Sequence, residues 1–218
     1  MYIFVVMDIV LKYFSDFSDT QLQQLNALQG LYQDWNEKIN VISRKDINSL
    51  YEKHVLHSLS IAATFSFDAG AKIVDLGCGG GFPGIPLAIY FPDIHFHMVD
   101  SIAKKLKVVQ EVADAIGLKN ITIQHSRVEE IKDKKFDYVI SRAVAPLKNL
   151  WQWGRPLIQK TSSSPRSEDA PAPGLICLKG GDLAQEIQES GTRPYVTAIK
   201  DIFKEPFFEE KYILYVPK

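Results

Sequence analysis

The chain has 218 residues, of which 46% are apolar, 11% aromatic and 23% charged, and its formal net charge is -1. That size fits one α/β domain with an appendage and a core that needs no staples, and the composition excludes a coiled coil, a collagen-like chain, a fully disordered chain and a disulfide scaffold. Near-zero charge excludes a uniformly basic nucleic-acid binder while leaving room for a local basic face; two distant cysteines, Cys78 and Cys177, exclude a cysteine-based zinc cluster and suit a reducing compartment.

The most apolar early stretch, Tyr2–Leu11, is interrupted by Asp8. It is far shorter than the roughly 20 residues a bilayer requires. It also lacks a basic leader and a cleavage site, so no membrane segment or signal peptide is expected, and a cytoplasmic location is. Leu22, Leu25, Leu28, Tyr32, Trp35 and Ile39 then recur at steps of three and four, which predicts one helix face. Ser18 and Gln21 have capping-box spacing at its start. A second helix is expected from about Ser43, with Asp46 three residues on, carrying Ile47, Leu50, Tyr51, His54 and Ile61 inward. A break at Phe67–Gly70 separates an N-terminal helical extension, residues 1–67, from a second unit, residues 68–218.

Beyond the break, short apolar runs alternate with amphipathic ones. Lys72–Leu76, His95–Val99, Ile121–Gln124, Tyr138–Ser141 and Leu175–Leu178 read as strands, and the stretches after Gly84, Ser101, Pro146 and Asp182 as helices. This alternation predicts a doubly wound parallel α/β sheet with right-handed crossovers. Tyr195–Phe203 and Lys211–Val216 are joined by Lys204-Glu205-Pro206, too short for a crossover helix, so they should form an antiparallel pair. Residues 161–173, rich in Ser and Pro, read as a flexible loop.

The sharpest motif is Val74-Asp75-Leu76-Gly77-Cys78-Gly79-Gly80-Gly81-Phe82-Pro83-Gly84, after a strand and before a helix. Glycines there permit a tight turn and close approach of a ligand. Gly79, Gly81 and Gly84 satisfy the dinucleotide pattern GxGxxG. Asp75, Gly77, Gly79 and Gly81 satisfy a second frame, D-x-G-x-G-x-G, similar to motif I of S-adenosylmethionine methyltransferases. Asp100 closes the next strand, about 20 residues on, where a carboxylate can accept two ribose hydroxyls. It can equally cap the helix that follows. Both cofactors contain adenosine, so Asp100 does not separate them. The antiparallel ending, the lack of a second substrate domain and the lack of a hydride-transfer constellation favour S-adenosylmethionine over NAD.

Further stretches sharpen the reading: Trp35-Asn36…Asn40, His54…Ser58-Leu59, Gly81-Phe82-Pro83-Gly84-Ile85-Pro86-Leu87-Ala88, Ser126-Arg127-Val128-Glu129-Glu130, Ser141-Arg142-Ala143 and Leu178-Lys179-Gly180. Together they resemble the bacterial RsmG (GidB) family from about Leu31 to Leu183. The resemblance implies a Rossmann-like class I S-adenosylmethionine-dependent methyltransferase. It also implies a substrate, 16S ribosomal RNA or the small ribosomal subunit, methylated at guanine N7 in the 530 loop, and a monomeric enzyme. Carried over residue by residue, it places cofactor contacts at Gly77, Phe82, Val128, Glu129 and Arg142, with Gly79 in the glycine frame and Asp100 at the ribose. Lys104, Arg127 and Lys179 match basic positions that face cofactor or RNA. The chain departs from the family pattern at Lys53 and Lys211, where arginines are usual, and at His57, where aspartate is usual. Lysine lacks the planar fork of arginine, so a bidentate contact is lost at both positions.

Guanine N7 carries a lone pair and no proton, so no catalytic acid–base residue is assigned; His54 and His57 lie three apart with no Cys or third His beside them, so no metal ligand is assigned either. His54 and His57 read as packed or surface histidines rather than metal ligands. Phosphate contacts should come from a local cluster that includes Lys105, Lys107, Lys148 and Arg155, and binding should weaken with salt. The competing readings are an NAD-binding oxidoreductase, a non-catalytic RNA-binding module, and a methyltransferase for another RNA or a small molecule.

Overall fold

The computed structural model describes residues 7–132, 134–142, 144–159, 167 and 169–218. Part of the Tyr2–Leu11 stretch, Ala143 of the Ser-Arg-Ala motif and most of the Ser/Pro-rich loop lie outside the described residues. After a short helix α1 (Asp8–Leu11), helix α2 (Asp19–Lys38) begins at its capping box. Ser18 Oγ accepts the Gln21 amide at 3.3 Å, and Gln21 Oε1 accepts the Ser18 amide at 2.8 Å. Its apolar stripe buries Leu25, Leu28 and Tyr32, with Trp35 and Ile39 half-buried. Asn36 then pins the following loop: Oδ1 accepts the Val41 and Ile42 amides and Nδ2 donates to the Ile42 carbonyl, each at 2.9 Å.

The regular helix expected from Ser43 does not form. Ser43 is absorbed in a turn whose carbonyl accepts the Asp46 amide at 2.8 Å, a 3-10 turn follows at Ile47–Ser49, and Tyr51–Leu56 is a π-helix running into α3 (His57–Thr64). The wider π turn runs into a segment buried all round, with no gap in burial from Val55 to Ile61. A simple amphipathic stripe underestimates such a segment.

The strands are β1 (Lys72–Leu76), β2 (His95–Asp100), β3 (Ile121–His125), β4 (Tyr138–Arg142), β5 (Gly174–Gly180), β6 (Tyr195–Ala198) and β7 (Lys211–Pro217). They form one seven-stranded sheet in the order β3-β2-β1-β4-β5-β7-β6. The first five are parallel; β7 runs antiparallel to β5 and to β6. Helices α4 (Gly84–Tyr90), α5 (Ala103–Ala115), α6 (Leu147–Gly154) and α7 (Ala184–Ser190) occupy the predicted stretches. One expected strand is corrected. The run Tyr195–Phe203 is a strand only to Ala198 and then a helical turn, α8 (Ile199–Ile202). A strand would carry Asp201 inward with Ile199 and Phe203, whereas a helical turn buries those two and leaves Asp201 exposed.

Strand alternation divides the core into two layers. Ile73, Phe96, Met98, Tyr138, Ile140 and Ile176 pack with α2 to α5, while Val74, Leu76, Val99, Val139, Leu175 and Cys177 pack with α6. The strand order reverses between β1 and β4, so a crevice opens at the carboxyl ends of these strands. Among the described residues no helix is long and apolar enough to cross a membrane.

Candidate functional site

The turn leaving β1 is folded by the motif itself. The Gly77 and Cys78 amides both donate to the Val99 carbonyl of β2, at 2.8 and 3.0 Å. Gly77 has φ +70°, and a Cβ there would lie 2.7 Å from Val144 Cγ1. Position 77 therefore requires glycine for both conformation and space. Asp75 organises the turn from below: its Oδ2 accepts the Gly84 amide at 2.9 Å, at the start of α4. A Cβ on Gly84 would meet Met98 Sδ at 2.4 Å and Asp75 Oδ2 at 2.8 Å. Oδ1 of Asp75 is buried with no hydrogen-bond partner among the described residues. Burial pushes its carboxyl up to about 7, while the Gly84 amide and Arg142 pull it down.

Beside the turn lies a cleft of about 410 Å³, lined by Gly77, Asp100, Arg127, Val128 and Glu129 among others. Asp100 is 8% exposed. Its Oδ2 accepts the Gly79 amide at 2.9 Å and its Oδ1 the Ile102 amide at 2.8 Å. The carboxylate thus ties the glycine turn to Ile102, the residue before α5. Each oxygen keeps a lone pair for a ligand. Val128 and Glu129 sit in a 3-10 turn after β3. Lys105 lines the cleft; Lys104 is exposed on α5 and does not. Apolar walls come from Ile102, Val144, Leu150 and Trp153, which carried no motif signal.

Phe82 and Arg142 meet on the other side of the turn. The Arg142 guanidinium lies 5.2 Å from the centre of the Phe82 ring, which also packs on Tyr32 and His54 at 4.8 and 5.1 Å. Tyr32 anchors the turn by donating its hydroxyl to the Gly80 carbonyl at 2.6 Å. Arg142 Nη2 donates to His54 Nδ1 at 3.0 Å, and Nη1 to the Lys53 carbonyl at 3.4 Å. Burial lowers Arg142 to about 10, with Asp75 and Tyr32 opposing, so it stays cationic at neutral pH. Burial first, then Arg142, lowers His54 to about 3, so the imidazole is neutral and accepts this bond.

Arg142 opens onto a second cleft of about 400 Å³, over the ends of β4, β5 and β7. Its lining includes Asp46, Lys53, Lys179, Phe207 and Lys211. Lys179 is 8% exposed, donates to the Ala145 carbonyl at 2.5 Å and pairs with Glu186 at 2.6 Å. His57 is buried, with its ring 5.7 Å from that of Phe207. The sequence flagged Lys53, His57 and Lys211 only as departures; it gave no sign that Asp46 and Phe207 join them. Among the described residues no group of three or more His, Cys, Asp or Glu could hold a metal ion.

A family model described as "rRNA small subunit methyltransferase G" matches residues 21–205. The chain is 54% identical over 209 residues to "Ribosomal RNA small subunit methyltransferase G" of Bacteroides thetaiotaomicron, covering 96% of this chain and 98% of that protein. Two solved structures resemble it in fold. A precorrin-6y C5,15-methyltransferase from Geobacter metallireducens superposes with TM-score 0.54 at 10% identity, over 83% of this chain and 92% of the other. A SAM dependent methyltransferase from Aquifex aeolicus gives TM-score 0.53 at 15% identity, over 80% and 98%. The sheet with its antiparallel end is therefore the class I methyltransferase fold expected from the sequence.

Proposed function

Because the chain belongs to the rRNA small subunit methyltransferase G family, we propose that it transfers a methyl group from S-adenosylmethionine to N7 of a guanine in the 530 loop of 16S ribosomal RNA. The observation that carries this reading is the pair of clefts at the carboxyl edge of the sheet, one beside the glycine turn and one basic, with Arg142 at the latter's inner wall.

The first cleft fits the donor on its own chemistry. The unused lone pairs of Asp100 would accept the ribose hydroxyls, and the glycine turn, with Gly77 at the cleft wall and Gly79 held on Asp100, would let the amino-acid end approach the backbone. Val128 and Glu129 reach the adenine edge from the turn after β3. S-adenosylmethionine supplies an electrophilic methyl on a sulfonium.

Guanine N7 attacks with an in-plane lone pair and has no proton to lose. The chain therefore needs no general base, and His54, neutral and engaged by Arg142, is not placed as one. What the protein supplies is alignment and a dry site, worth roughly 7–11 kcal/mol of barrier lowering at best. N7 sits in the deep groove of A-form RNA, so the target is taken from a loop or an unstacked position. Lys53, Arg142, Lys179, Lys211 and, at the first cleft, Arg127 supply positive charge along this edge. RNA affinity should accordingly fall as salt rises.

Incubating the protein with methyl-deuterated donor and 16S rRNA, followed by nuclease digestion and mass spectrometry, tests the reading. Labelled 7-methylguanosine is expected; label on another atom, or none, overturns it. The protein is expected to work in the cytoplasm as a monomer, and sedimentation of the purified chain checks the latter.

A further inference from the structure

The basic cleft contains four cationic side chains and one carboxylate, Asp46. Asp46 Oδ1 accepts Lys53 Nζ at 2.5 Å, and each side chain keeps 31% of its surface exposed. Oδ2 of Asp46 takes no hydrogen bond from the described residues. The pair is therefore fixed at the cleft wall and presents a donor and an acceptor side by side. Lys53 lies 5.9 Å from the centre of the Phe207 ring, which limits where its ammonium can swing. An RNA phosphate alone would be served better by cations without a carboxylate among them.

We propose that the Asp46–Lys53 pair reads the Watson–Crick edge of the target base and that Asp46 is the residue that selects guanine; this rests on the guanine-N7 reading above. Guanine presents O6, an acceptor, beside N1–H and the N2 amino group, both donors. Lys53 matches O6, and the free acceptor capacity of Asp46 matches N1–H and N2–H. Adenine reverses the first two positions, setting its amino group against the ammonium and its N1 lone pair against the carboxylate. Contact along this edge leaves the N7 lone pair unengaged and free to attack. The departure to lysine at position 53 also becomes intelligible, because a point-charge donor suffices for one carbonyl oxygen while its partner carboxylate does the selecting.

The test compares guanine with inosine, which lacks only the N2 amino group. Single-turnover methylation is measured on 16S rRNA ligated from a transcript and a synthetic oligonucleotide carrying either base at the methylated position. Wild type should prefer guanine on the order of tenfold, and Asp46→Ala should bring the preference to about twofold or less. Asp46→Asn, which keeps the shape, should lose it too, since its amide offers one acceptor where two donors must be met. Affinity for S-adenosylhomocysteine should be unchanged in both variants. Equal rates on the two bases with wild type, or full guanine preference in either variant, overturn the assignment while leaving the methyltransferase reading intact. Loss of all activity in both variants also overturns it, because Asp46 then serves folding or RNA binding at large. Wild type that methylates neither RNA sinks the guanine-N7 reading and this inference with it.

Discussion

The two clefts lie along one edge of one sheet yet are built in opposite ways. The donor cleft combines a glycine turn and a 3-10 turn with two carboxylates, Asp100 and Glu129, and the apolar side chains of Ile102, Val144, Leu150 and Trp153; Asp100 ties two loops together. The basic cleft is made of side chains from the segment 46–57, from Arg142, from 178–180 and from 207–211. The first gathers the turns after three adjacent parallel strands, β1, β2 and β3, with a wall from α6. The second exists only after the π-helix, β4, β5 and the β6–β7 connection have been brought together. Changes in the donor cleft should therefore act on cofactor affinity, and changes in the basic cleft on turnover and RNA.

The largest effect should come from Arg142, which lines the basic cleft and packs on Phe82 of the glycine turn. Arg142→Ala removes the guanidinium from Phe82 and His54 and should lower the single-turnover rate about 100-fold, the cost of a misplaced reacting group. Arg142→Lys should recover only part of this, because one ammonium cannot hold both contacts. Next, Asp100→Ala should weaken S-adenosylhomocysteine binding about tenfold or more in a calorimetric titration, since charged hydrogen bonds contribute roughly 1.5–3 kcal/mol each. An equal loss of RNA binding in that variant would erase the distinction between the clefts.

A third prediction concerns the fold beneath the donor cleft. Gly84→Ala forces a Cβ against Met98 and Asp75 and should cost about 1–3 kcal/mol, read as a lower urea midpoint. The smallest effect, and the one that sets the two clefts in opposition, is on pH dependence. Asp75 titrates near 7 in the fold, above its ordinary 3.8, so the folded state keeps a proton that the unfolded chain has lost. Its contribution is full below about pH 4 and lost as pH rises toward 7. His54 titrates near 3, below its ordinary 6.5, so its contribution is full above about pH 6.5 and lost as pH falls. Between pH 4 and 6.5 the slopes oppose. Urea midpoints across this range should rise more steeply with pH in Asp75→Asn and less steeply in His54→Gln than in wild type.

The same contrast explains what could be read in the sequence. The capping box at Ser18, the strand Lys72–Leu76 and the helices after Gly84 and Pro146 were legible because each is specified by neighbours in the chain. The Asp75–Gly84 bond lies within the glycine motif, whereas the reach of Asp100 to the Gly79 amide joins two strand ends and was not read from the sequence. The π-helix at Tyr51–Leu56 was not legible, because its half-buried Glu52, Lys53 and His54 run straight into a stretch, Val55 to Ile61, that is buried all round and shows no stripe. The turn at Ile199–Ile202 reads as a strand because Ile199 and Phe203 share a face in either conformation; only the exposure of Asp201 between them marks the helical turn. Asp46 carried no motif of its own; only its ion pair with Lys53 at the cleft wall gives it meaning.

The central claim is that the crevice beside residues 75–84 holds S-adenosylmethionine against Asp100. Calorimetric titration of the purified chain with S-adenosylhomocysteine and, separately, with NAD tests it most directly. One saturable site for S-adenosylhomocysteine, weakened in Asp100→Ala, with no heat from NAD, is the predicted result. Saturable binding of NAD with none of S-adenosylhomocysteine would contradict the account.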